Sequence, residues 1–103
     1  VELGGQGITT NVIAPGYFAT EMNEHLIADK DFNDWVCSRV PLRRWGQVDE
    51  IGAAAVFLAS DESKFIHGTT LNVDGGFNAA GLIFSTDEMQ SYESGPANSW
   101  EKQ

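Results

Sequence analysis

"ITTNVIAPGYFAT", residues 8–20, is the stretch on which the fold turns. Residues 8 to 14 read as a strand, with Ile8, Thr10, Val12 and Ala14 on one face and Thr9, Asn11 and Ile13 on the other. Both faces are apolar or small, the pattern of a strand covered by helices on each side. Pro15 and Gly16 end it, and Thr20 stands four positions beyond the glycine. Upstream, residues 1 to 3 read as the last turn of a helix, with Gly4, Gly5 and Gly7 as its left-handed terminator.

After Thr20 the period becomes helical. Thr20 is placed to cap a short helix in which Met22, Leu26 and Ile27 share a face. Asp29 or Asp31 starts a second helix carrying Phe32, Trp35, Val36 and Val40 on one side, and Pro41 stops it. This aromatic pair of helices has two readings, a flap over a ligand or a helical hairpin packed on the core. Residues 47 to 60 form the clearest helix, with Asp49 and Glu50 in its first turn, where the helix dipole favours negative charge. Ile51, Ala55 and Leu58 are its expected buried stripe. Residues 69 to 73 form a second strand, closed by Asp74-Gly75-Gly76. No helix is expected after that turn, so "VDGG" reads as a turn rather than a phosphate cradle. From Phe77 to Gln103 the composition is polar and without period, a tail.

Helix end, strand, helices and strand make one crossover unit of a parallel α/β sheet. Two strands cannot complete such a sheet, whose edges would be open and whose core would be small. The pattern therefore asks for further strands outside these 103 residues. The first residue is Val1 rather than Met, which fits a processed or truncated N-terminus and leaves any targeting peptide unread.

Composition narrows the function. The chain carries 15 acidic and 6 basic residues, a net charge of −9, which argues against a nucleic-acid backbone as partner. No apolar run approaches the roughly 20 residues of a membrane helix, so no membrane partner is expected. Cys37 is the single cysteine; it forms no internal disulfide and fits a reducing, cytoplasmic compartment. Beside Val36 it reads as a packed thiol, with a reactive thiol as the minor reading. His25 and His67 have no Cys or His at ligand spacing, and no metal site is expected.

"ELGGQGITTNVIAPGYFATEM" and "WGQVDEIGAAAVFLASDESKFIHGTTLNVDGG" resemble the C-terminal part of classical short-chain dehydrogenases/reductases over residues 1 to 76. The resemblance implies a Rossmann-like, doubly wound parallel sheet that binds NAD or NADP and moves a hydride between the nicotinamide and a carbonyl or alcohol. It assigns residues 8 to 14 to the sixth strand, about 20 to 45 to the substrate loop, and 69 to 73 to the last strand, with 77 to 103 as the tail. In the family the Pro-Gly turn lies beneath the nicotinamide, which implies a cofactor clamp of Pro15, Gly16, Phe18 through its N–H, and the Thr20 hydroxyl. A turn with a helix cap is the plain alternative for the same residues.

The resemblance likewise places Met22, Phe32 and Trp35 as apolar cover in the substrate loop, and makes Arg44 of Arg-x-Gly a structural residue expected to pair with a carboxylate or a loop carbonyl. Val48 stands where the family often has proline. The last helix and strand commonly form a subunit interface in the family, which implies a homo-oligomer. Within it, the sugar-acid branch of gluconate 5-dehydrogenase type looks nearest, with 3-oxoacyl-acyl-carrier-protein reductases next. Arg39 or Arg43 could meet a substrate carboxylate, or be solvated arginines at a helix C-terminus.

Departures are equally plain. The chain has no Gly-rich cofactor loop and no Tyr-x-x-x-Lys, since Tyr17 is followed by Glu21 and Tyr92 by Pro96. The family's catalytic serine, tyrosine and lysine would lie upstream of Val1. By itself the chain is expected to be inert. The competing reading is a truncated product acting as an interaction or dimerisation module.

Overall fold

In a computed structural model, the residues described are 1–80; the rest of the expected tail, from 81 onward, lies outside them. Strand β1 (Val12–Pro15) pairs in parallel with β2 (Thr70–Val73), in the register Val12↔Thr70, Ile13↔Leu71, Ala14↔Asn72 and Pro15↔Val73. Between them run α1 (Glu24–Ala28), α2 (Lys30–Arg39) and α3 (Val48–Ala59), the expected crossover. The first strand is shorter than its apolar pattern. Thr10 gives its N–H to His67 Nδ1 (3.0 Å), and the Asn11 side chain bonds Ile66 O and Thr69 N. These side-chain bonds tie residues 10 and 11 to the loop before β2 where ladder bonds would otherwise run. At the N-terminus a 3-10 turn (Gly4–Gln6) replaces the expected end of a helix, and Gly7 alone is its left-handed terminator, with φ 77°.

Asp29 starts α2, its Oδ1 accepting from Asp31 N (3.1 Å) and Phe32 N (3.3 Å). Thr20 precedes a 3-10 turn (Glu21–Asn23), but its hydroxyl makes no capping bond. Winding at three residues per turn throws Met22 out of phase with Leu26 and Ile27, and it is 84% exposed. The core of the described residues is Val36, Cys37, Val40 and Trp45, all nearly inaccessible, with Tyr17, Leu26, Ile27, Phe32 and Phe77 packed around them. The α1–α2 pair is thus built into the core.

Helix α3 departs from expectation at one position of its stripe. Ile51, Ala54 and Leu58 are its half-buried stripe, whereas Ala55 is exposed. Val48, Val56 and Phe57 are exposed too. The helix rests on the sheet by one narrow face, and much of its remaining apolar surface is exposed among the described residues. After Gly76 a short helix, α4 (Phe77–Ala80), does follow, contrary to the sequence reading. Asp74 caps it, Oδ1 accepting from Gly76 N (2.9 Å) and Oδ2 from Asn78 N (3.0 Å). That carboxylate occupies the donors a phosphate would need, so the turn is no phosphate cradle.

Cys37 has no exposed surface, and burial pushes its thiol pKa up, reinforced by Asp34 and opposed by Arg43. The thiolate is the reactive form. Alkylation of Cys37 by iodoacetamide is therefore expected to be negligible in the native protein and to appear in step with unfolding in denaturant. Fast labelling under native conditions would contradict the packed reading.

Candidate functional site

The site begins where β1 ends. Gly16 continues the ladder with its N–H on Val73 O at 3.0 Å. A Cβ on Gly16 would lie 2.8 Å from both Cα and Cβ of Asp74, so the two chain segments meet at a distance only glycine permits. The sequence reading gave that missing side chain to an approaching ring; the close neighbour here is the β2 turn.

The next three residues are fixed by the loop before α3. Gly46 donates to Tyr17 O and accepts from Ala19 N, each at 2.8 Å, a one-residue parallel bridge opposite Phe18. The Phe18 ring lies on Gly46, where a Cβ would come within 2.6 Å of the ring carbons. This contact gives the glycine of Arg-x-Gly its physical reason. On the other side Asn23 Nδ2 donates to Phe18 O at 2.8 Å. Neither the Phe18 N–H nor the Thr20 hydroxyl meets a partner among the described residues.

A cavity of about 460 Å³ gathers Pro15, Gly16, Phe18 and Thr20, with Ile13, Val48 and Ile51 as apolar wall. Asn23 lines it as well, so the slot is largely apolar, with the Thr20 hydroxyl and the Asn23 amide as its polar side chains. A mostly apolar slot with a few polar groups is the usual make-up of a small-molecule site.

Arg44 holds the frame from behind. Its Nη1 and Nη2 bond Glu50 Oε1 (2.7 Å) and Oε2 (2.9 Å), and Nη1 also bonds Trp45 O (3.1 Å). Both partners expected for it, a carboxylate and a loop carbonyl, are present. Glu50 Oε1 accepts in addition from Gln47 N (2.9 Å), which steadies the start of α3 where Val48 replaces a favoured proline. The Arg44 pair, followed by the Gln47 N–H, holds the Glu50 carboxyl below its ordinary pKa of 4.5. A lowered folded pKa means stabilisation above the unfolded value, lost as pH falls through the folded one. The stability difference between wild type and Glu50→Gln is thus expected to be constant near neutrality and to shrink below about pH 4.5. Acid titration of urea midpoints checks it, and parallel curves for the two proteins would contradict it.

The residues expected in the substrate loop do not line this cavity. Phe32 and Trp35 lie in an aromatic cluster with Tyr17 and Trp45. Met22 points outward. The Arg39 guanidinium stands 5.9 Å over the Trp35 ring. Arg43, at φ 61°, turns Nη1 back to the carbonyls of Cys37 and Ser38 at the end of α2. Sequence reasoning missed Asn23 and Tyr17 as parts of the frame. Asn23, just past the Thr20 turn, carried a readable signal as a turn residue; the ring contacts of Tyr17 carried none.

Comparison with known proteins follows this geometry. The family model described as enoyl-(acyl carrier protein) reductase matches residues 1–78. Gluconate 5-dehydrogenase of Gluconobacter oxydans is 54% identical over 77 residues, covering 75% of this chain and 30% of that protein. A 3-oxoacyl-[acyl-carrier-protein] reductase of Haemophilus influenzae is 45% identical over 75 residues, covering 73% and 30%. The crystal structure of a gluconate 5-dehydrogenase from Burkholderia cenocepacia, in complex with NADP and tartrate, superposes with a TM-score of 0.67 at 50% identity, covering 76% and 32%. The chain spans about a third of the length of these relatives.

Proposed function

Because the chain belongs to the short-chain dehydrogenase/reductase family, we propose that it is the nicotinamide-side part of an NAD(P)-dependent oxidoreductase acting on a carbonyl or alcohol. The observation that carries this reading is the meeting of Pro15, Gly16, Phe18 and Thr20 in one apolar cavity with an N–H and a hydroxyl to spare. The Phe18 N–H and the Thr20 Oγ1 would hold the carboxamide, and the Gly16 turn would let the ring lie against the backbone. When bound, the nicotinamide supplies the hydride. This chain's residues fix which face of the ring meets the substrate, and such orientation is a large share of catalytic gain. The serine and the Tyr-x-x-x-Lys pair of the family belong, on this reading, to a segment preceding Val1.

For the substrate we propose a small polyhydroxy acid of gluconate type, in line with the Gluconobacter and Burkholderia relatives. Arg39, on the last turn of α2, is the candidate partner for its carboxylate, with Arg43 as the alternative. The Haemophilus relative keeps an acyl thioester as the second substrate reading. A panel of gluconate, its keto forms and acetoacetyl thioester on the full-length protein separates them. Preference for the thioester, or an unchanged gluconate KM in both Arg39→Ala and Arg43→Ala, would remove the sugar-acid assignment.

The exposed apolar side of α3, with Val56 and Phe57, supports a homo-oligomer formed through the last helix and strand. It also keeps the dimerisation-module reading in view. An inactive full-length protein that still associates would favour that module. The buried Cys37 thiol is in keeping with a cytoplasmic setting.

Thr20→Ala in the full-length protein tests the clamp. One lost hydrogen bond to a ligand is worth about 0.5–1.5 kcal/mol, so kcat/KM for the cofactor is expected to fall several-fold with the melting temperature unchanged. Thr20→Ser is expected to restore it. Unchanged kinetics in Thr20→Ala would leave Thr20 outside the clamp.

A further inference from the structure

Tyr17 lies between two clamp residues, yet its ring faces away from the clamp chemistry. It stands edge-on to four aromatic rings, with centroid distances of 6.4 Å to Phe32, 6.0 Å to Trp35, 5.8 Å to Trp45 and 5.6 Å to Phe77. Those rings belong to α2, the loop before α3, and α4. The Tyr17 carbonyl meanwhile accepts the Gly46 N–H that fixes the clamp segment. One residue thus touches the clamp by its backbone and three other elements by its ring.

The far side of this contact is open to change. Trp35 is 43% exposed, so the outer edge of α2 is only half covered and leans on its ring contacts. Trp45 Nε1 on Asn33 Oδ1, at 2.8 Å, fastens the inner edge. Edge-on aromatic pairs are directional, and a shift of residues 16 to 18 would turn the Tyr17 ring against Phe32 and Trp35. Two sites are coupled when both bias the position of a shared element. Tyr17 has that placement.

We propose that Tyr17 is a positioning residue that links seating of the cofactor in the clamp to ordering of the α1–α2 segment. The proposal rests on the nicotinamide-clamp reading above. It needs the ring and not the hydroxyl, so phenylalanine should substitute and an aliphatic side chain should not.

Hydrogen exchange of the full-length protein, read by mass spectrometry on peptides covering residues 21–40, tests this with and without saturating NADPH, and with NADH in a parallel arm. Saturation is verified for each variant by calorimetry, so that affinity and coupling are separated. In wild type and Tyr17→Phe, cofactor is expected to slow exchange by about fivefold or more, the lower end of usual coupling. In Tyr17→Leu the slowing should fall below about twofold at full occupancy. Should Tyr17→Leu fail to fold, Phe32→Leu removes one of the two α2 partners of Tyr17 and is expected to give intermediate slowing. Equal slowing in Tyr17→Leu or Phe32→Leu, lost slowing in Tyr17→Phe, or none in a cofactor-bound wild type would overturn the coupling and leave the clamp standing. A wild type that binds neither NADPH nor NADH would overturn both.

Discussion

Gly16→Ala is expected to lower kcat/KM of the full-length protein by about 100-fold or more, the loss that a misplacement near 1 Å brings. The new methyl carbon would meet backbone and Cβ of Asp74 at 2.8 Å, and neither can swing aside. Either the ends of β1 and β2 part or residues 16 to 20 move as a body. Overpacking of this kind costs about 1–3 kcal/mol, so the protein should still fold, with a lowered denaturant midpoint. Steady-state kinetics beside urea melts checks both halves. Wild-type kinetics in a folded Gly16→Ala would mean that the turn does not set the site.

Trp45→Ala should have the largest effect on stability. Trp45 has no exposed surface, meets Tyr17 and Phe32 ring to ring, and bonds Asn33 through Nε1. Removing so large a buried ring costs about 3–5 kcal/mol, a large share of the roughly 5–15 kcal/mol that holds a typical domain folded. Trp45→Phe keeps most of the packing but leaves Asn33 Oδ1 without its donor, and should lose less. Denaturant melts in which Trp45→Ala matched wild type would contradict the core described here.

The candidate clamp was named through the family resemblance, and its residues are contiguous. Pro15, Gly16, Phe18 and Thr20 lie within six residues, and a strand ending in Pro-Gly already locates the turn. The crossover order and the Asp29 cap were readable from the local pattern, and the Arg44 pairing was implied by the family resemblance. What escaped depends on partners far along the chain. The start of β1 is set by where β2 begins and by the His67 and Asn11 side-chain bonds, not by the apolar run itself. In the α3 stripe Ile51 and Leu58 were placed as expected, and only Ala55 was misread by one position, Ala54 being the half-buried alanine. That is about 100° of helix, and several adjacent alanines gave no contrast to fix the phase. Met22 escaped because a 3-10 turn does not follow the α-helical period. The Gly46–Phe18 contact and the ring cluster on Tyr17 join remote segments and leave no periodic trace.

The central claim, that residues 15 to 20 hold the nicotinamide, is tested most directly by the Phe18 amide in a ¹⁵N-phenylalanine-labelled sample of the full-length protein. Its resonance is assigned by its disappearance in Phe18→Tyr. On titration with NADPH or NADH, the account predicts a downfield shift of this amide proton and slowed exchange, because the unpartnered N–H acquires the carboxamide oxygen. Saturable cofactor binding that leaves the Phe18 amide unshifted and freely exchanging would contradict it.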